Sequence, residues 1–136
     1  MNYWLMKSEP DVFSFDDLIK KGKEHWDGVR NYMARNNLRA MKKGDVALFY
    51  HSNIDRAVVG IMEIVKEAYP DPTTQEEQWV CVDVAPKEKL KNPVSLSDIK
   101  SNPKLAEMRL LKLSRLSVVD ITKTEFNEIL RMSKKQ

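Results

Sequence analysis

The sequence predicts an α+β domain, a mixed and barrel-like β-sheet of about five or six strands with short helices on its flanks. Three observations carry this. Period-two alternation or β-branched runs recur over 2–8, 46–52, 57–68, 78–85 and 116–121. Helix-start signals lie between or after them, at Ser14 with Asp17, Ser95 with Asp98 and Thr122 with Glu125, each followed by only a short apolar period. At 136 residues the chain has the size of a single domain, spanning 1–136, and can bury a conventional core.

In the first strand Tyr3, Leu5 and Lys7 share one face and Trp4, Met6 and Ser8 the other. Ser14 and Asp17 form a capping box for a short helix that Gly22 closes. Ala34, Leu38 and Met41 stand at i, i+4 and i+7, which predicts a second helix ending at Gly44. The segments 46–52 and 57–68 are joined by Asn53-Ile54-Asp55-Arg56 and read as a hairpin, with Gly60 marking a bulge or a close backbone approach. A polar loop over 70–77 leads to the strand 78–85, in which Val80, Val82 and Val84 share a face. After a helical turn at Leu96 and Ile99 and the strand 116–121, a terminal helix carries Phe126, Ile129 and Leu130, and 133–136 reads as a frayed tail.

Composition excludes several classes. No apolar run approaches the ~20 residues that span a bilayer, and the N-terminus enters strand-like sequence without a secretory pattern, so a cytoplasmic location is expected, or a nuclear one in a eukaryote. Cys81 is the only cysteine, which excludes an intramolecular disulfide and fits a reducing compartment. Two histidines with one cysteine make no familiar metal site, and four scattered glycines make no phosphate loop, so neither metal nor cofactor is expected. An acyl-transfer arrangement of Ser8, His51 and an acid can be drawn, but no nucleophile elbow supports it, and the chain is read as a non-enzyme.

The net charge of +3 is small, but its distribution is uneven. Residues 20–43 carry eight basic side chains against Glu24 and Asp27, whereas 63–83 carries six acids and only Lys66. That asymmetry predicts a one-sided footprint for a polyanion. Inside the basic stretch, 26–52 combines Trp26, three arginines and three asparagines with a strand ending Tyr50-His51-Ser52. Arginine forks and asparagine amides grip phosphates and base edges, and aromatic faces stack bases, so nucleic acid is the expected partner.

The segments YWLMKSEP, WDGVRNYMARNNLR, GDVALFYHS, VVGIMEIVKEAYPD, WVCVDV and RLSVVDIT, in this order and together spanning nearly the whole chain, resemble the EVE domain family. The resemblance implies a PUA-like fold, related in architecture to the YTH readers of methylated adenine in RNA. It implies a reader of a modified base in DNA or RNA, such as methylated or hydroxymethylated cytosine, held in an aromatic pocket with a basic rim. The alternative is an unselective RNA-binding PUA-like module.

On this reading Trp26 is a pocket wall and Ser8 stands beside the base, with Val29, Tyr32, Tyr50, His51 and Ser52 completing the pocket. Lys7, Arg30, Asn31, Arg35, Asn36 and Arg115 are the backbone contacts. Each has a plainer role as well. Ser8 can make a local backbone hydrogen bond, Lys7 and Arg30 can pair with Glu9 or Asp27, and Asn31 can cap the second helix. Tyr32 can cover the core, His51 can be structural and Arg115 can sit in an ion pair. Trp4 and Trp79, on strands among aliphatics, are read as packing residues.

Overall fold

The computed structural model describes residues 1–134. Six strands, β1 (Tyr3–Ser8), β2 (Glu24–His25), β3 (Val46–His51), β4 (Ala57–Pro70), β5 (Val80–Ser95) and β6 (Val118–Ile121), form one mixed sheet in the order β2-β5-β4-β3-β1-β6. Helices α1 (Phe15–Lys21), α2 (Tyr32–Ala40), α3 (Leu96–Lys100), α4 (Arg109–Lys112) and α5 (Lys123–Lys134), with a 3-10 turn at Pro103–Leu105, flank it. This is the α+β, PUA-like architecture that the sequence implies.

The local chemistry explains the placements. Strand β3 reads as a continuous apolar run because it is central, pairing in parallel with β1 and antiparallel with β4, and Val46 to Tyr50 are all buried. A parallel pair needs a long crossover, and α1, β2 and α2 supply it. Ser14 caps α1 in a reciprocal box with Asp17, and Gly22 closes it at φ +78°. Both readings of Gly60 hold. The β4–β5 register shifts beside it, and a Cβ there would meet Cε2 and Cε1 of Phe15 at 2.5 and 2.6 Å.

Four expectations are corrected. Strand β5 starts at Val80 and runs to Ser95, far past Ala85, because β2 covers only Asp83 and Val84 and leaves its second half an edge where prolines and lysines are tolerated. Trp79 therefore precedes the strand. Helix α2 ends at Ala40 with Met41 as its C-cap, while Gly44, at φ +95°, shapes the turn into β3. Ser133 belongs to no frayed tail: it is 2% exposed, its Oγ donates to the Asn92 carbonyl at 2.9 Å, and its own carbonyl accepts from Asn92 Nδ2 at 2.7 Å. Lys135 and Gln136, the rest of that expected tail, lie outside the described residues. Among the described residues, no helix is long and apolar enough to cross a membrane.

Candidate nucleic-acid interface

Phe49, fully buried on β3, organises the first of two neighbouring clefts. Trp26 meets it edge-on with ring centroids 5.5 Å apart, and Phe15 and His51 do the same at 5.3 and 5.5 Å, while Phe13 lies tilted at 6.3 Å. The Trp26 backbone N–H donates to the Val82 carbonyl at 2.7 Å, so both ring and main chain are fixed. Trp26 is 8% exposed, and its accessible edge forms part of a cleft of about 250 Å³ with Lys7, Ser8, Phe13, His25 and Asp27. Ser8 Oγ donates to the Phe13 carbonyl at 2.6 Å, which ties the end of β1 to the loop before α1. In the same cleft His25 lies between Glu24 (3.1 Å) and Asp27 (2.9 Å), and Glu24 Oε2 accepts from Lys21 Nζ at 2.6 Å.

The second cleft, of about 520 Å³, opens on the other side of Lys7 and is lined by Tyr50, Ser52, Arg56, Lys100 and Ser114 among others. Alternation along β3 causes the division. Phe49 and His51 face the Trp26 cluster, and Tyr50 and Ser52 face the second cleft. Among the described residues no buried side-chain polar atom lacks a partner. The Trp26 indole N–H and the Tyr50 hydroxyl, which make no hydrogen bond within the described chain, therefore both reach solvent space. Lys7 Nζ donates to the Ser114 carbonyl at 2.8 Å, and burial pushes its pKa below the ordinary lysine value.

Within the basic stretch around α2, Arg30 is engaged by an acid of the 63–83 stretch. Arg30 Nη1 donates to Asp71 Oδ2 and to the Val29 carbonyl, both at 3.0 Å, and Nη2 donates to Thr73 Oγ1. Asp71 is buried, and burial pushes its carboxyl up; hydrogen bonds from Thr73, Gly28 and Arg30 outweigh this and hold its pKa at about 2. Arg35 donates to Asn36 Oδ1 and reaches the Gln78 carbonyl. Tyr32, 60% exposed, neither covers the core nor lines either cleft: it stacks on Trp79 at 5.1 Å, with the Arg35 guanidinium 4.9 Å from its centroid. Trp79 is thus the buried side of a Tyr–Trp–Arg stack, with its Nε1 donating to Glu76.

The remaining sequence-predicted residues are spread out. Val29 is buried and lines neither cleft. Asn31 caps α2 by accepting from the Ala34 N–H at 3.0 Å, and it shares a shallow cleft of about 380 Å³ with Met33 and Arg115. Arg115 makes no ion pair among the described residues. His51 Nε2 accepts from the Phe15 N–H at 3.1 Å, and burial pushes its pKa below the ordinary value, so the neutral acceptor form is favoured. Ser8 and His51 are thus engaged with different partners, and no Ser–His hydrogen bond joins them. No group of three His, Cys, Asp or Glu able to hold a metal occurs among the described residues.

Sequence reasoning missed Phe13, His25 and Asp27 in the first cleft and Arg56 and Lys100 in the second. Arg56 reads as a turn residue, and its turn does carry left-handed Asn53 and Asp55, at φ 74° and 50°. Lys100 ends a one-turn helix whose sequence signal is the apolar pair Leu96 and Ile99, not its charge. Only the fold brings these two cations beside Lys7.

A profile of the EVE domain matches residues 2–132. Mouse thymocyte nuclear protein 1 is 41% identical over 96% of this chain and 73% of its own length. A crystal structure of an Agrobacterium tumefaciens protein is 48% identical, with a TM-score of 0.96, covering 98% of this chain and 94% of the other. The human THYN1 protein in complex with 5-methylcytosine-containing DNA is 38% identical, with a TM-score of 0.93, covering 100% and 99%. A Zymomonas mobilis ASCH protein, at 9% identity and a TM-score of 0.59, shares the fold alone.

Proposed function

The chain belongs to the EVE domain family, and from that premise we propose that it is a nucleic-acid-binding reader that holds one modified base in the Trp26 cleft. The observation that carries this reading is the cleft itself. It is narrow, about 250 Å³, below the roughly 300–1,000 Å³ typical of drug-sized ligand sites, and has aromatic walls at Phe13 and Trp26. A single planar base suits it better than a larger ligand. The similarity to the human THYN1 protein, solved with 5-methylcytosine-containing DNA, supports a modified pyrimidine as the first candidate.

The polar groups suit such an occupant. The free Trp26 indole N–H is a donor for a ring nitrogen or carbonyl, and Asp27 is an acceptor for an exocyclic amino group such as cytosine N4. Aromatic stacking contributes on the order of 1–3 kcal/mol per base irrespective of identity. A methyl in an apolar slot adds roughly 1–3 kcal/mol, a tenfold to two-hundredfold preference. Selectivity therefore belongs to the cleft and bulk affinity to cations outside it. Extracting a base from duplex costs a few kcal/mol, which favours single-stranded or locally weakened targets.

Fluorescence polarisation with matched oligonucleotides, unmodified or carrying a methylated or hydroxymethylated cytosine or a methylated adenine, tests this. A tenfold or greater preference for one modified form is expected. Equal affinities with a steep salt slope would instead establish the unselective RNA-binding reading or its DNA counterpart.

A further inference from the structure

Two of the arginines that sequence patterning points to are occupied. Arg30 is paired with Asp71, Arg35 is hydrogen-bonded to Asn36, and both lie against the Trp79 stack. The cleft of about 520 Å³ is different. Its lining includes Lys7, Arg56 and Lys100 and no carboxylate, and none of the three cations is ion-paired among the described residues. Tyr50 adds a free hydroxyl and Ser52 a further donor. Arg56 and Lys100 also line an adjoining groove of about 700 Å³ along α3, whose lining includes the carboxylate of Asp55.

Charge gives this arrangement a direction. The Trp26 cleft carries Asp27, a carboxylate with no lysine or arginine partner among the described residues, which repels a phosphodiester; Lys7 is the wall it shares with the cation-lined cleft. Lys7 is half-buried without a carboxylate partner, a cost that an anion at Nζ offsets.

We propose that the Lys7–Arg56–Lys100 cleft holds the backbone phosphates next to the read base, so that the bound strand leaves the Trp26 cleft across Lys7 toward the β3–β4 turn and α3, away from α2. This assignment rests on the base-reading role of the Trp26 cleft, but the phosphate seat can be measured separately. Each phosphate contact contributes about 0.7 to the slope of log affinity against log salt for a single strand.

The test compares the intact protein with Arg56→Ala/Lys100→Ala and with a charge-matched control at the C-terminal end of α2 and just beyond it, Arg39→Ala/Lys42→Ala. All four side chains are exposed, and a thermal melt checks that each variant is folded. Two probes are titrated at several salt concentrations: a base-bearing single strand, modified or not, and a short oligomer of abasic deoxyribose phosphates. The expected result is abasic binding whose salt slope falls by about 1.4 in the first variant and is retained in the control. The ratio of modified to unmodified affinity should be preserved in both variants. An unchanged slope in Arg56→Ala/Lys100→Ala, or a base-bearing strand that binds while the abasic oligomer does not, would overturn the phosphate seat. A selectivity ratio of one with abasic binding intact would dismiss the base-reading role and leave the phosphate seat standing.

Discussion

Arg30 Nη1 lies 3.0 Å from Oδ2 of Asp71, whose side chain is completely buried while that of Arg30 is partly exposed. The same carboxylate accepts from the backbone N–H groups of Gly28 and Thr73 and from the Thr73 hydroxyl. One acid thus fastens the loop after β4 to the segment between Trp26 and α2. Asp71→Ala leaves two backbone donors and a guanidinium without their acceptor, and a loss of about 3 kcal/mol is expected in chemical denaturation.

The pKa of Asp71, held at about 2, lies below the unfolded reference of roughly 3.9. Its contribution to stability is therefore fully present above about pH 4 and is lost as pH falls through about 2. Between about pH 6 and pH 2.5 the intact protein should lose more stability than Asp71→Asn, which has no proton to take up. Equal losses would contradict the role assigned to the carboxylate.

His51 titrates in a separate window. Burial lowers its pKa, so the stability it contributes is present above the unfolded value of about 6.5 and declines as pH falls through the lower folded value. The denaturation midpoint should drop between about pH 7.5 and 5.5 in the intact protein and change less in His51→Gln. Parallel pH curves for the two would show that the histidine is not the acceptor for the Phe15 N–H.

Gly60 and Phe15 form a close packing pair. A Cβ at residue 60 would lie 2.5 Å from Cε2 of Phe15, a ring already in edge contact with Phe49. Gly60→Ala is expected to destabilise by about 1–3 kcal/mol through overpacking. Combined with Phe15→Leu, it should cost less than the sum of the single changes, and additive costs would place the strain elsewhere.

Trp26 has two duties, and an alanine there confounds them. Its ring packs on Phe49 in the core, so Trp26→Ala should cost about 3–5 kcal/mol of stability whatever its ligand role. Trp26→Phe keeps an aromatic wall and removes the free indole N–H. A smaller modified-to-unmodified ratio with an unchanged salt slope is expected of this variant, measured by equilibrium binding on protein whose melt shows it folded.

The sheet and helices were legible because their signals are local. Strand alternation at Tyr3–Ser8, the capping boxes at Ser14 and Thr122 and the steric role of Gly60 each depend on a few neighbouring residues. The long second half of β5 was not legible, since an edge strand tolerates the Pro86 and Lys87 that read as loop. Ser133 looked like tail because its partner, Asn92, is 41 positions away in the chain.

The candidate site was legible as a set of residue types more than as a place. Lys7, Ser8 and Trp26 meet in one cleft, and Tyr50 and Ser52 share the next. Two arginines of the basic stretch are less free than its charge suggests, because net charge along a sequence does not show what folds against each side chain. Asp71, 41 residues from Arg30, takes up that guanidinium, and Trp79 with Gln78 takes up Arg35. Arg56 and Lys100 carry no sequence signal for a site, since a turn arginine and a helical lysine are ordinary until the fold sets them on one cleft.

The most direct test of the central claim is the ratio of dissociation constants for one single-stranded oligonucleotide with and without 5-methylcytosine, measured on the intact protein and on Trp26→Phe. A ratio of about ten or more that falls in Trp26→Phe is the result expected of a base held in the Trp26 cleft. A ratio of one in the intact protein for this and every other modified base tried would contradict the reader assignment.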